Sequence, residues 1–102
     1  MIALITQKRD RIAEHCHRLN VRSLEVFGSA ADGTFDPEKS DIDFLVEFGD
    51  HEHLDLAERY FDLEKNLMAL FGRKVDLVIA RPFENPFFRA NVEASKEPVY
   101  AT

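Results

Sequence analysis

Three aspartates and one Gly-Ser pair are the residues of this 102-residue chain whose types and spacing could do chemistry. Asp41 and Asp43 stand two apart at the start of the alternating segment DIDFLVEF. On a strand, residues two apart project from one face with Cα atoms roughly 6.5 to 7 Å apart, so a hard divalent cation could be held between two such carboxylates. An ordinary strand that begins with polar residues reads the same way. Asp76 interrupts the apolar segment KVDLVIA, where an unpaired buried carboxylate would cost several kcal/mol, on the order of what an uncompensated charge loses on leaving water. Compensation by a metal and compensation by Arg73 or Lys74 both stand open. If the two strands are neighbours, Asp76 completes a three-carboxylate cluster suited to two Mg²⁺ ions. Gly28-Ser29 follows an apolar run directly, and there Gly lets the backbone approach a ligand while Ser offers a hydroxyl and an N–H. Such a turn can grip terminal phosphates; a plain strand-ending turn is the alternative.

These residues need elements to position them. Ile2, Ile5, Ile12, Cys16 and Leu19 recur at helical spacing, which predicts an amphipathic helix over residues 2–19. SLEVFG predicts a first strand, and AADGTFDPEKS a loop with one turn of helix after Ser29. DIDFLVEF predicts a second strand with Ile42, Phe44, Val46 and Phe48 on one face and Asp41, Asp43, Leu45 and Glu47 on the other. A helix over about 51–71 follows, capped by Asp50 and closed by Gly72, with Leu54, Ala57, Phe61, Leu67, Met68 and Phe71 as its inner stripe and Asp55 paired with Arg59. KVDLVIA predicts a third strand, Asn85-Pro86 the start of a helix over 86–95, and Val99-Tyr100 a short edge segment. The expected class is α/β (α+β): one domain over residues 1–102, a small mixed sheet backed by helices on one side.

Bulk properties bound the function. The length allows one core that removes roughly two-thirds of the unfolded chain's surface from water. No apolar run approaches the roughly 20 residues of a membrane span, and the N-terminus lacks the pattern of a signal peptide, so a soluble cytoplasmic protein without a membrane partner is expected. The single cysteine, Cys16, fits a reducing compartment. Nineteen acidic against 13 basic residues give a charge of −6, which disfavours long DNA or RNA and leaves a small anion bound through cations. His15 and His17, like His51 and His53, are two apart on predicted helices and diverge by about 200°, so neither pair converges on zinc. Phe35 and Phe83, in predicted loops, either tuck back onto the domain or meet a partner.

In order along the chain, VFGSA, SDIDFLVEF and KVDLVIA resemble the Gly-Ser, Asp-x-Asp and Asp signature of the DNA polymerase beta-like nucleotidyltransferase superfamily. The length resembles its minimal branch, the MNT domains, as does the ending NPFFRANVEASKEPVY, so the likeness runs from about Leu24 to Tyr100. The resemblance implies Asp41, Asp43 and Asp76 at one rim of a sheet as catalytic and metal-holding residues, with Gly28, Ser29, Asp41 and Asp43 at the nucleotide. It implies two Mg²⁺ ions and ATP as the donor. It also implies a helical HEPN-domain toxin as partner, with the MNT member an antitoxin that adenylylates it; a homo- or hetero-oligomer is compatible with this. Asp76 would share the metal nearer the nucleophile and receive the hydroxyl proton, while Ser29 and neighbouring amides would steady the β and γ phosphates.

Two departures bear on turnover. The 11 residues between Ser29 and Asp41 are one more than is common in the family, and Asp32 stands before Gly33 where members often carry Arg. A lost charge-assisted contact is worth about 1.5 to 3 kcal/mol, although Lys39 could replace the cation. Three functions are therefore carried forward: a nucleotide-transferring enzyme, an antitoxin that inhibits by covering its toxin, and a scaffold with coincidental carboxylates.

Overall fold

A computed structural model describes residues 1–36, 38, 40–50, 55–80 and 85–102. The expectations placed on Lys39, His51, His53, Leu54 and Phe83 lie outside the described residues.

The chain opens with two helices, α1 (Ala3–Gln7) and α2 (Arg9–Arg18), where the periodicity predicts one. The break falls at Lys8, whose N–H turns back to the Ile5 carbonyl at 3.1 Å. Ile2 is tied through its N–H to Ala30 O at 3.0 Å, while Ile5, Ile12, Cys16 and Leu19 all enter one core. The bend lets the first turn reach Ala30 while its apolar stripe stays inward. Burial pushes the Cys16 thiol up to about 12, so it acts as a small apolar side chain.

Next come β1 (Val21–Phe27), the one-turn α3 (Ser29–Asp32), β2 (Ile42–Phe48), α4 (Leu56–Phe71), β3 (Val75–Ile79), α5 (Pro86–Ser95) and β4 (Glu97–Ala101). The expected short turn of helix after Ser29 and the edge segment around Val99-Tyr100 are both present. In the sheet the order is β3-β2-β1-β4: β1 runs antiparallel to β2 and β4, whereas β2 and β3 are parallel with α4 as the crossover. Ile42 N–H to Lys74 O at 3.4 Å and Ala80 N–H to Val46 O at 2.7 Å bracket the parallel pair.

Helix α4 starts later than expected and turns a different face inward. Asp55 is its cap, accepting from Glu58 N–H at 2.7 Å, an Asp-x-x-Glu arrangement at the first turn. The inner stripe is Arg59, Leu63, Leu67 and Phe71, whereas Ala57, Phe61 and Met68 face outward. Arg59 accounts for the difference. Instead of pairing with Asp55 it is buried, donates to Gly49 O at 2.7 Å and Leu19 O at 3.3 Å, and lies 5.0 Å over the Phe48 ring. A guanidinium that serves chain-end carbonyls of two other elements fixes the rotation of the helix. Gly72 closes α4 in the left-handed conformation, as expected.

Alternation along β2 divides the protein. Ile42, Phe44 and Val46 join Leu24, Val26, Val75, Leu77, Leu63 and Leu67 in the main core beneath α2 and α4. Leu45, on the other face, packs with Phe27 and Val92 of α5, and the Phe27 and Phe88 rings meet edge to face at 6.0 Å. Helices therefore cover both faces, α5 only part of the second, rather than one side alone. That second face carries the candidate site.

Candidate active site

Register sets the site. Phe27 pairs with Asp43 across β1 and β2, and Asp43 pairs with Asp76 across β2 and β3. The three side chains form a row at the end of the sheet where β1 finishes and the other two strands begin. Asp43 is half-buried, and its carboxyl is pushed up to about 6, first by burial and then by the charges of Asp76, which lies within hydrogen-bonding reach, and of Asp41. Burial and the neighbouring carboxylates act in the same direction, each disfavouring the ionised form of Asp43.

Gly28 touches the same carboxylate. Its φ of +71° is a left-handed value, and a Cβ added there would stand 2.7 Å from Asp43 Oδ2. The Gly-Ser turn thus packs on Asp43, with α3 springing from it through Ala31 and Asp32 N–H bonds to Gly28 O, both 3.0 Å. The Gly28 N–H donates to Ser95 Oγ at 3.0 Å.

One expectation about the carboxylates changes. Asp76 is exposed, not buried, because β3 is an edge strand and the cluster beneath α5 reaches Val78 but not the rim. Asp41, just before β2, is close enough for its charge to act on Asp43, and its Oδ2 also lies 3.7 Å from Lys74 Nζ. Lys74, a candidate partner for Asp76, serves Asp41 instead, and Arg73 stacks 5.0 Å over the Phe35 ring, drawing that loop residue back onto the domain. Among the described residues no group of three or more His, Cys, Asp or Glu side chains is arranged to hold a metal. The fit to a divalent cation rests on two carboxylates, Asp43 and Asp76: hard oxygen donors whose mutual repulsion a cation would relieve. Asp41 could join them on leaving Lys74.

Asp32, at the end of α3, accepts from Thr34 N–H at 3.0 Å and from the Thr34 hydroxyl at 2.6 Å. Those bonds hold its carboxyl below the usual range and keep the charge in place. Ser95 was not singled out by the sequence reading: a serine near a helix end carries no signal of a contact 67 residues away.

A nucleotidyltransferase domain family model matches residues 9–99. The chain belongs to that family. A Methanocaldococcus jannaschii protein provisionally named a protein adenylyltransferase is 40% identical over 89 residues, covering 87% of this chain and 85% of its own. A solved structure provisionally described as a minimal nucleotidyltransferase is 31% identical, with a TM-score of 0.72 over 95% of this chain and 96% of its own. The fold also matches a chain from the structure of a tri-AMPylated Shewanella oneidensis HEPN toxin in complex with an MNT antitoxin, with a TM-score of 0.63 at 20% identity, covering 96% of this chain and 73% of that one. For this nucleotidyltransferase, sequence family and sheet architecture therefore agree. No helix among the described residues is long and apolar enough to cross a membrane.

Proposed function

We propose that this nucleotidyltransferase moves AMP from ATP to a protein hydroxyl on a HEPN-domain toxin, in a Mg²⁺-dependent reaction, and thereby acts as its antitoxin. The observation that carries this reading is Asp43, beside Asp76 on the next strand and against Gly28 of the Gly28-Ser29 turn. A relative provisionally named a protein adenylyltransferase, and a fold shared with a chain from a complex of an AMPylated HEPN toxin and an MNT antitoxin, support the choice of donor and partner.

Asp43 and Asp76 would hold Mg²⁺, with Asp41 joining them. The bound cation would neutralise charge on the carboxylates and the triphosphate. The Ser29 hydroxyl and the amides beginning α3 would steady the β and γ phosphates. The acceptor oxygen forms a bond to the α-phosphorus as the bond to pyrophosphate breaks, and the hydroxyl proton passes to Asp76, whose exposure leaves it open to an incoming protein side chain.

A second reading, an antitoxin that neutralises by binding alone, is favoured by the Asp41 and Lys74 ion pair and by the anion at Asp32. Incubation of the chain and its co-purified partner with labelled ATP and Mg²⁺ separates the two. Label on the partner with the native chain, and none with Asp41→Ala plus Asp43→Ala, is the expected result. A tight complex with no label from either would leave the binding-only antitoxin.

A further inference from the structure

The Gly28 N–H sits at the junction of β1 and α3, and its acceptor is a side chain on α5, the Ser95 hydroxyl, at 3.0 Å. The hydroxyl proton is committed elsewhere, donated to Asn91 O at 3.0 Å. Serine back-bonding of that kind is common within helices and by itself holds nothing outside them. Here the oxygen lone pair is aimed across the fold, and the hydroxyl cannot rotate without disturbing both bonds. Helix α5 is a firm base for this contact, since Val92 is fully buried against Phe27 and Leu45 and Phe88 packs edge to face on Phe27. On its other side Gly28 is in contact with the Asp43 carboxylate. The glycine is held between Ser95 and Asp43 at the point where the chain leaves β1.

We infer that Ser95 is a positioning residue for the nucleotide site: its hydroxyl fixes the peptide plane between Phe27 and Gly28, and so sets where Ser29 and the following turn meet the triphosphate. This rests on the nucleotide-transfer reading above. It assigns α5 a role beyond covering the second face, because a hydroxyl near its C-terminal end orients a turn that the helix does not adjoin in sequence.

Ser95→Val and Ser95→Thr, matched in shape but differing in the hydroxyl, test the assignment in the full chain, with Ser95→Ala as a second hydroxyl-free variant that adds no bulk. Three quantities are measured: hydrogen exchange at the Gly28 amide, the Kd for ATP with Mg²⁺ by calorimetry, and KM and kcat for labelling of the co-purified partner. Loss of one hydrogen bond predicts a Kd and KM for ATP raised about 3- to 10-fold in the Val or Ala variant, and faster exchange at Gly28. The kcat should stay within about twofold and Thr should restore native values, since the contact orients bound nucleotide in ground and transition states alike. Equal behaviour of Val and Thr, or unchanged ATP affinity alongside a lower melting temperature, would overturn the inference and leave Ser95 as part of the scaffold. A native chain that binds no ATP would instead sink the nucleotide-transfer reading, and the inference with it.

Discussion

The two faces of β2 are built on opposite terms. Towards α2 and α4, Ile42, Phe44 and Val46 are fully buried among apolar neighbours, and even the buried Arg59 donates to two carbonyls. Towards the other face, one residue away in sequence, Asp43 is half-buried beside a second carboxylate and against a glycine with positive φ. The first arrangement gathers compatible groups; the second sets like charges beside each other. Such conflicts concentrate at functional sites, because a ligand that resolves them binds more tightly. The comparison teaches that a single strand can take stability from one face and hold a poised site on the other, since its side chains alternate.

The largest expected effect lies on the core face. Phe44 is fully buried and stacks on Phe71 at 6.0 Å, so Phe44→Ala should cost about 3–5 kcal/mol in urea unfolding. A cost under about 1 kcal/mol would break the claim that this face carries the stability.

Gly28→Ala should come next, costing about 1–3 kcal/mol, since it combines a strained φ with a Cβ set against Asp43 Oδ2. ATP affinity should fall by more than this variant's stability predicts. An equal affinity would detach the turn from the carboxylates.

Asp43→Asn should have the opposite sign. A carboxyl raised to about 6 in the folded state, above the ordinary carboxylate range, favours the folded protein when protonated. Its ionisation therefore removes stability as pH rises from about 4 to about 6. Allowing for its partial exposure, Asn should stabilise the metal-free protein at pH 7.5 by about 1–2 kcal/mol and by little at pH 4.5, while abolishing transfer. Destabilisation at pH 7.5 would sharpen the contrast the wrong way, making Asp43 a structural anchor.

The smallest effect belongs to Lys74→Ala. The pair it forms with Asp41 is exposed, so stability should change by under about 0.5 kcal/mol in thermal unfolding. Freed of Lys74, Asp41 should raise Mg²⁺ affinity several-fold by calorimetry. No gain would place Asp41 outside the cation site.

Local rules made much of this legible in the sequence. The alternation of β2, the Asn85 cap that accepts from Phe87 and Phe88 N–H, and the left-handed Gly72 each depend on neighbours a few residues away. What escaped depends on distant partners. The bend at Lys8 answers to Ala30, the rotation of α4 to the carbonyls of Leu19 and Gly49, and Ser95 to Gly28. The site divides the same way. Alternation placed Asp43 on the site face of β2, whereas Asp41 precedes the strand; only the parallel register of β2 and β3 sets Asp76 beside Asp43, and only tertiary geometry brings Lys74 to Asp41. The expected burial of Asp76 failed because an apolar segment does not reveal that its strand lies at a sheet edge.

In the proposed reaction, the like-charged Asp43 and Asp76 beside the Gly28 turn would hold the cation. Titration of the Asp43 carboxyl carbon by NMR, with and without Mg²⁺ and a nonhydrolysable ATP analogue, tests this most directly. The midpoint should lie near 6 in the free protein and fall well below the ordinary carboxylate range when cation and nucleotide are added. A midpoint near the ordinary value that neither ligand moves would contradict it.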